Sequence, residues 1–361
     1  MIVARPARRQ SASRTGEWFL KSGIQASDGG VARYYLSGPD RYAPFSTEIT
    51  AYCASVLIAL YKESADRRYR DAALRAAGYL VKAWDAQCCA MPFECSSENG
   101  RYSYFFDNGI IVRGLLAVWR ESQIPEILST AINCATSMAH DFIDGEHYAP
   151  VLQLPCKSPL NFQPARWSWT PGCYQLKAAL AWYEIWRVTK QQRYLELYRE
   201  LLNLSLASHA SFLPGCDAVL PVMDRLHAYA YFLEGLLPAI EERRCANAIA
   251  EGIARVADFV TKVSPLFIRS DVIAQLLRVR LLAHQYGAVP LDEKAAQQEV
   301  SILKGFRCDD PSPRLNGGFW FGRKNGALLP FMNPVSTAFS HQALAMWKER
   351  GQKALPWQSL I

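Results

Sequence analysis

Hydrophobic and polar positions alternate along this chain in two different ways, and the two ways take turns. From residue 46 onward, stretches that are apolar nearly all round, such as AYCASVLIALY at 51–61, are followed by stretches with a single apolar face. In residues 67–84, Tyr69, Ala72, Ala73, Ala76, Ala77, Leu80, Val81 and Trp84 recur at helical spacing, while Arg67, Arg68, Arg70, Asp71, Arg75 and Lys82 take the other side. A helix apolar on every side must be enclosed by other helices, whereas an amphipathic one stands between core and water. The pattern therefore predicts inner and outer helices in alternation, with a loose period of roughly 55–60 residues. Inner helices are expected to begin near Ser46, Phe106, Thr170, Met223, Ile268 and Asn333, and outer ones near Arg67, Pro125, Gln192, Arg243 and Leu291. With no convincing strand run, this reads as an all-α, single-domain (α/α)6 toroid, a barrel of six helical hairpins. A stacked solenoid is the alternative, but irregular repeat lengths favour closure.

The connections give the barrel a polarity. Residues 85–105, 141–167, 209–222 and 305–332 are long, rich in Pro, Gly and aromatics, and all precede inner helices. Outer helices follow inner ones after only a few residues, so the elaboration gathers at one end, where function-bearing loops cluster. Residues 15–27 predict a short helix broken by Ser27-Asp28-Gly29-Gly30. Residues 31–45 predict a loop with a short extended piece. The expected division is a basic arm over 1–14, the toroid over 15–350 and a tail over 351–361.

Composition narrows the class. The 361 residues are 50% hydrophobic and 12% aromatic, enough for a large core and too apolar for disorder. No apolar run approaches the roughly 18–20 residues of a membrane span, so no membrane partner is expected. The arm holds Arg5, Arg8, Arg9 and Arg14 with no apolar segment behind them, which is unlike a secretory signal and thin for a nucleic-acid partner. A net charge of +7 fits an anionic ligand without requiring one. The ten cysteines are scattered, and Cys53, Cys134, Cys173 and Cys245 fall in apolar helical patterns, as small hydrophobes do. Cys88, Cys89 and Cys95 cluster without a second pair at zinc spacing. A reduced, cytoplasmic protein without metal or cofactor is the expectation.

If the inner helices run parallel, their first turns converge at the elaborated end. Those turns carry Glu48, Asp107, Asp224, His227, Arg269 and Asp271, a set suited to acid–base chemistry beside inward-pointing helix dipoles. Acidic residues also favour helix starts for stability alone: Asp107 and Asp224 sit where an N-cap belongs, and Glu48 and Asp271 in a first turn. Their recurrence at one barrel end is the stronger signal. A helix needs no histidine at His227, which reads either as a proton acceptor or hydroxyl ligand or as a hydrogen-bonded core histidine. The expected catalytic set is Asp107, Glu48 and His227. Candidates for holding substrate are Asp28, Arg33, Tyr35, Trp169, Arg225, Asp271, Trp320 and His341, with the aromatics stacking on sugar rings. P-loop, dinucleotide-fold, H-E-x-x-H and G-x-S-x-G signatures are all missing.

Ser27-Asp28-Gly29-Gly30-Val31, Glu48-Ile49-Thr50-Ala51-Tyr52, Phe106-Asp107-Asn108-Gly109 and Leu226-His227-Ala228-Tyr229, with the repeated Arg-Tyr joint between helices, resemble the six-hairpin toroids of carbohydrate-active proteins. The chain looks like members associated with bacterial exopolysaccharide genes, and more distantly like unsaturated glucuronyl hydrolases and sugar epimerases. The resemblance spans most of the chain and implies a glycan or small-sugar ligand. Two departures stand out: residues 268–286 offer few of the expected polar features, and the Glu48 segment lacks the usual proline–glutamate–threonine run. The expectation is an enzyme acting on an acidic, uronate-containing glycan by hydrolysis, lyase chemistry or epimerisation. A non-catalytic glycan-binding or assembly protein is the second possibility, and a natural-product cyclase or isomerase with an apolar cavity the third.

Overall fold

The computed structural model describes residues 13–95, 101–163, 166–213, 219–352 and 354–361. Its α-helices are, in chain order, α1 (Arg14–Lys21), α2 (Thr47–Ser64), α3 (Arg67–Ala83), α4 (Phe105–Ser122), α5 (Pro125–His140), α6 (Gln175–Thr189), α7 (Gln192–Ser208), α8 (Val219–Gly235), α9 (Arg243–Val263), α10 (Ser270–Gln285), α11 (Glu293–Lys304) and α12 (Pro334–Glu349). The even-numbered helices form an inner ring in which each packs on the next and α12 closes against α2. The odd-numbered helices pack outside it, α1 against α12 and α2. The expected (α/α)6 toroid is the fold. None of the described helices is long and apolar enough to cross a membrane.

Local chemistry explains the polarity. At the plain end, α2, α4 and α6 stop at Ala65, Gln123 and Lys190, in left-handed backbone at φ 58°, 57° and 63°. In each case the next residue, Asp66, Ile124 or Gln191, is extended and starts the outer helix. Two residues thus reverse the chain. The Tyr69 and Tyr194 that follow these turns are buried, as the Arg-Tyr joint implied.

The elaborated end contains small antiparallel sheets that the sequence pattern did not reveal. Residues 101–104 pair with 151–154, which pair with 158–159, and 35–36 lie between 331–332 and 41–42. Residues 322–324 lie between 267–269 and 327–328. At two to four residues each, such strands leave no period-2 signature.

The inner ring is close-set. A Cβ on Gly109 of α4 would lie 2.4 Å from the Ala178 Cα of α6, and one on Gly114 would lie 2.6 Å from the Ala51 carbonyl oxygen of α2. One on Gly235 of α8 would meet the Leu176 backbone of α6 at 2.8 Å. Backbones meet directly at these three seams. Between inner and outer layers larger groups interlock: Trp182 is fully buried and its indole N–H donates to the Ala135 carbonyl at 3.0 Å.

Several boundaries move. Residues 1–12 of the expected basic arm lie outside the described residues, while Ser13 caps α1 and Arg14 opens it. The expected tail is folded in, with Trp357, Leu360 and Ile361 buried. α8 begins at Val219 rather than near Met223, which places Asp224 inside the helix, and α6 begins at Gln175 after a 3-10 turn at Trp167–Trp169.

Candidate active site

Two inner helices present matching stripes to the lumen. α8 offers His227, Tyr231 and Glu234, and α10 offers Asp271, Gln275 and Arg278, each at i, i+4 and i+7 along one helical face. α2 adds Glu48 and, four residues on, Tyr52. The side chains meet in tiers, an upper bowl of acids and imidazole, a tyrosine floor and a charged layer beneath.

In the bowl, Glu48 and Asp107 come from the first turns of the adjacent helices α2 and α4. Ser46, not Glu48, caps α2 by accepting from the Ile49 N–H at 3.4 Å. Asp107 is the third residue of α4 and does not occupy the N-cap, which belongs to Tyr104. The N-cap position expected for Asp107 therefore does not hold. Burial pushes the Glu48 carboxyl up to about 7 although Arg33 opposes this. Burial, then the charge of Glu48, pushes Asp107 well above the ordinary carboxylate range, again against Arg33. The charge of Glu48 thus makes Asp107 the carboxyl that holds its proton more firmly. Arg33 is shared with Glu94 at 3.0 Å.

Aromatic groups wall the Asp107 side. Trp169 donates its indole N–H to the Tyr104 hydroxyl at 3.2 Å and stands 5.9 Å from the Tyr102 ring. Trp167 stands edge-on to both Tyr174 and His227, at 5.0 and 6.4 Å.

His227 is held from one side. Its Nδ1 lies 2.7 Å from the Gln275 Oε1, and the Gln275 amide N–H donates back to the His227 carbonyl at 3.4 Å. That second bond turns the amide oxygen toward the imidazole, so Nδ1 carries the proton and Nε2 keeps its lone pair. Burial lowers His227 to about 4, although Asp271 at 3.6 Å opposes it. The ring is a neutral base. Asp271 is in turn clamped by Arg269 through bonds of 3.0 and 2.6 Å, and burial, which would raise its carboxyl, is more than offset by Arg269 and then His227. Arg269 also holds Asp224 at 2.8 Å, so Asp224 is an ion-pair partner inside α8 and no cap.

Below the bowl, Tyr52 donates its hydroxyl to Tyr231 at 3.1 Å, and Tyr231 packs against His227 and Phe106 at 4.5 and 4.6 Å. Beneath them Glu234 accepts from Arg278 at 2.5 Å and from Lys177 at 2.6 Å. Burial would raise Glu234, but Arg278 and then Lys177 hold it below the usual range. Residues 268–286, expected to be poor in polar features, in fact supply Arg269, Asp271, Gln275 and Arg278. Every one is buried, so an inner helix that looked apolar by composition carries its polar groups inward.

The structure thus brings together Glu48, Asp107, Arg33, His227, Asp271 and Trp169. Other expected residues lie elsewhere. Asp28 is exposed and accepts from the Gly30 N–H at 3.0 Å, closing a turn. Tyr35 donates to Asp40 at 2.5 Å within the 35–36 strand. Arg225 donates to the Phe212 carbonyl at 2.8 Å and stacks on its ring, toward the loop before α8. Trp320 is half-buried, and its carbonyl accepts from Ser270 at 2.8 Å. His341 faces Glu63 in the last turn of α2 at 3.4 Å, away from the bowl. Tyr52, Tyr231 and Gln275 escaped the sequence reading. Each lies four residues beyond Glu48, His227 or Asp271, and that spacing is the signal that finds them.

No protein-family model matches the chain, and neither does any curated protein sequence. Solved structures do. Cellobiose 2-epimerase from Spirochaeta thermophila superposes with a TM-score of 0.73 at 15% identity, covering 93% of this chain and 94% of its own. A D-mannose isomerase gives 0.67 at 9% identity, covering 96% of this chain and 100% of its own. Unsaturated glucuronyl hydrolase from Bacillus sp. GL1 gives 0.62 at 14%, covering 92% and 94%. Over nearly its whole length, then, the chain has the six-hairpin toroid fold seen in these sugar epimerases, isomerases and hydrolases.

Proposed function

We propose that this protein is a carbohydrate-active enzyme that transforms an acidic, uronate-containing glycan by acid–base chemistry in the bowl. The observation that carries the reading is the Glu48–Asp107 pair, two carboxyls raised by burial and, for Asp107, by its neighbour, with Arg33 alongside. In this reading Asp107, the more strongly raised, is the proton donor and Glu48 the acceptor. Arg33 attracts the substrate carboxylate, and Trp169 and Tyr104 offer a face for the sugar ring. The named activities of proteins sharing the fold support sugar as the substrate class.

His227 favours two of those branches over the third. A neutral imidazole with Nδ1 committed and Nε2 unprotonated suits abstraction of a proton from carbon, which epimerisation and lyase chemistry need and hydrolysis does not.

The test is incubation in D2O with saturated and unsaturated uronic-acid oligosaccharides, followed by mass spectrometry and proton NMR. Deuterium at a ring carbon without cleavage marks epimerisation, new reducing ends without a new double bond mark hydrolysis, and cleavage with a new double bond marks lyase chemistry. Asp107→Asn and Glu48→Gln are each expected to lower turnover by roughly 100-fold or more. Undiminished turnover in Asp107→Asn removes this assignment.

A further inference from the structure

The far mouth of the toroid is filled by the chain itself. Residues 354–361 form one short 3-10 turn, Trp357–Ser359, and otherwise no regular structure, yet Trp357, Leu360 and Ile361 are only 7%, 4% and 4% exposed. Their main chain is gripped by side chains from four inner helices. Arg113 of α4 donates to the Leu360 carbonyl at 2.9 Å, and Lys177 of α6 and Arg278 of α10 donate to the Ile361 oxygen at 3.3 and 3.4 Å. Gln342 of α12 donates to the Ser359 carbonyl at 2.7 Å and accepts from the Ile361 N–H at 3.2 Å. Higher up the segment, Gln285 exchanges a pair of hydrogen bonds with Leu355, at 2.8 and 2.9 Å.

This is how a receptor holds a bound peptide: side-chain donors grip main-chain oxygens, and pockets take the apolar side chains. The grip also supplies acceptors to buried cations of the barrel. Arg113, Lys177 and Arg278 are 6%, 0% and 0% exposed, and the acids facing them are Glu184 and Glu234. Without the segment, buried cations outnumber their partners and lose acceptors they cannot replace.

We propose that the far mouth of the toroid is a peptide-binding site, occupied in cis by residues 354–361, whose filling supports the floor of the bowl. The ligand class is a short extended peptide with bulky apolar side chains. The link to the floor is direct packing. Arg278 lies over the Phe339 ring at 3.8 Å, and Phe339 stands edge-on to Tyr52 and Tyr231 at 5.4 and 6.4 Å. The proposal does not depend on the sugar chemistry above.

The first experiment keeps the full chain. Hydrogen–deuterium exchange followed by mass spectrometry is expected to show residues 354–361 protected by at least about 10-fold relative to the free synthetic peptide of that sequence. The double substitution Leu360→Ser with Ile361→Ser is expected to abolish that protection while the helices stay protected. Exchange of the native segment at the free-peptide rate overturns the proposal. The second experiment uses a chain shortened after Lys353. Lys177 is expected to become reactive toward acetic anhydride, and adding the synthetic 354–361 peptide restores protection where a scrambled peptide does not. A shortened chain that folds, keeps Lys177 unreactive and ignores the peptide also overturns it. Should the shortened chain not fold, the exchange comparison decides alone.

Discussion

The hydroxyl of Tyr52 donates to that of Tyr231 at 3.1 Å, joining α2 to α8, three places apart in the six-membered inner ring. Each tyrosine is one turn below a bowl residue, Glu48 and His227. The contact therefore ties the two sides of the candidate site together at its base.

Removing one partner should cost more than removing both. Tyr231→Phe strands a buried hydroxyl and is expected to destabilise by about 1–3 kcal/mol. A double-mutant cycle with Tyr52→Phe, read by urea denaturation, should return a coupling of about 1–3 kcal/mol, larger than the loss from Tyr52→Phe alone. Strict additivity would remove the bond from the account.

The carboxyl pair should weaken the fold as pH rises. Glu48 has an unfolded value of 4.5 and a folded value of about 7, so the folded state binds the extra proton, and stability declines as pH climbs through that window. Glu48→Gln and Asp107→Asn should therefore raise the melting temperature at pH 8 by a few degrees and change it little at pH 4.5. Equal shifts at both pH values would mean that the pair is not strained by charge.

His227 works in the opposite sense. Its folded value of about 4 lies below the ordinary 6.5, so the unfolded chain takes up a proton that the folded one refuses. Stability should fall as pH drops from 6.5 toward 4. His227→Gln should lessen the difference in unfolding free energy between pH 7 and pH 4.5 by roughly 2 kcal/mol. A variant as acid-sensitive as the parent contradicts the neutral imidazole.

The seam glycines should tolerate no side chain. Gly109→Val drives a branched group into the Ala178 backbone and should cost about 1–3 kcal/mol or more, through separation of α4 from α6. Calorimetry would show a lowered melting temperature. An unchanged one would mean that the ring can widen there.

Much of this was readable before any coordinates. Alternation of all-apolar and amphipathic stretches found the inner and outer helices, because enclosure and exposure write different periods. Asp107 and Glu48 were legible because ionisable groups opening apolar helices need a reason, and His227, two turns inside α8, because an apolar helical run has no need of a histidine. Tyr52, Tyr231 and Gln275 were not, because a tyrosine or glutamine within an apolar run looks like core until the facing helix is known. Arg278 and Lys177 were hidden for the same reason. Their partners, Glu234 and the oxygen of Ile361, come from distant parts of the chain. His341 was over-read, since a helical histidine near a polar residue says nothing about which end of a barrel it faces.

The backbone seams at Gly109, Gly114 and Gly235 also bear on divergence. A ring closed by main chain against main chain asks for small residues at a few positions and only for apolar bulk elsewhere. Mutational drift can then replace most of the interior without altering the outline, provided that volumes are traded between neighbours. Similarity at 15% and 9% identity over nearly the whole chain is what such a tolerant blueprint permits.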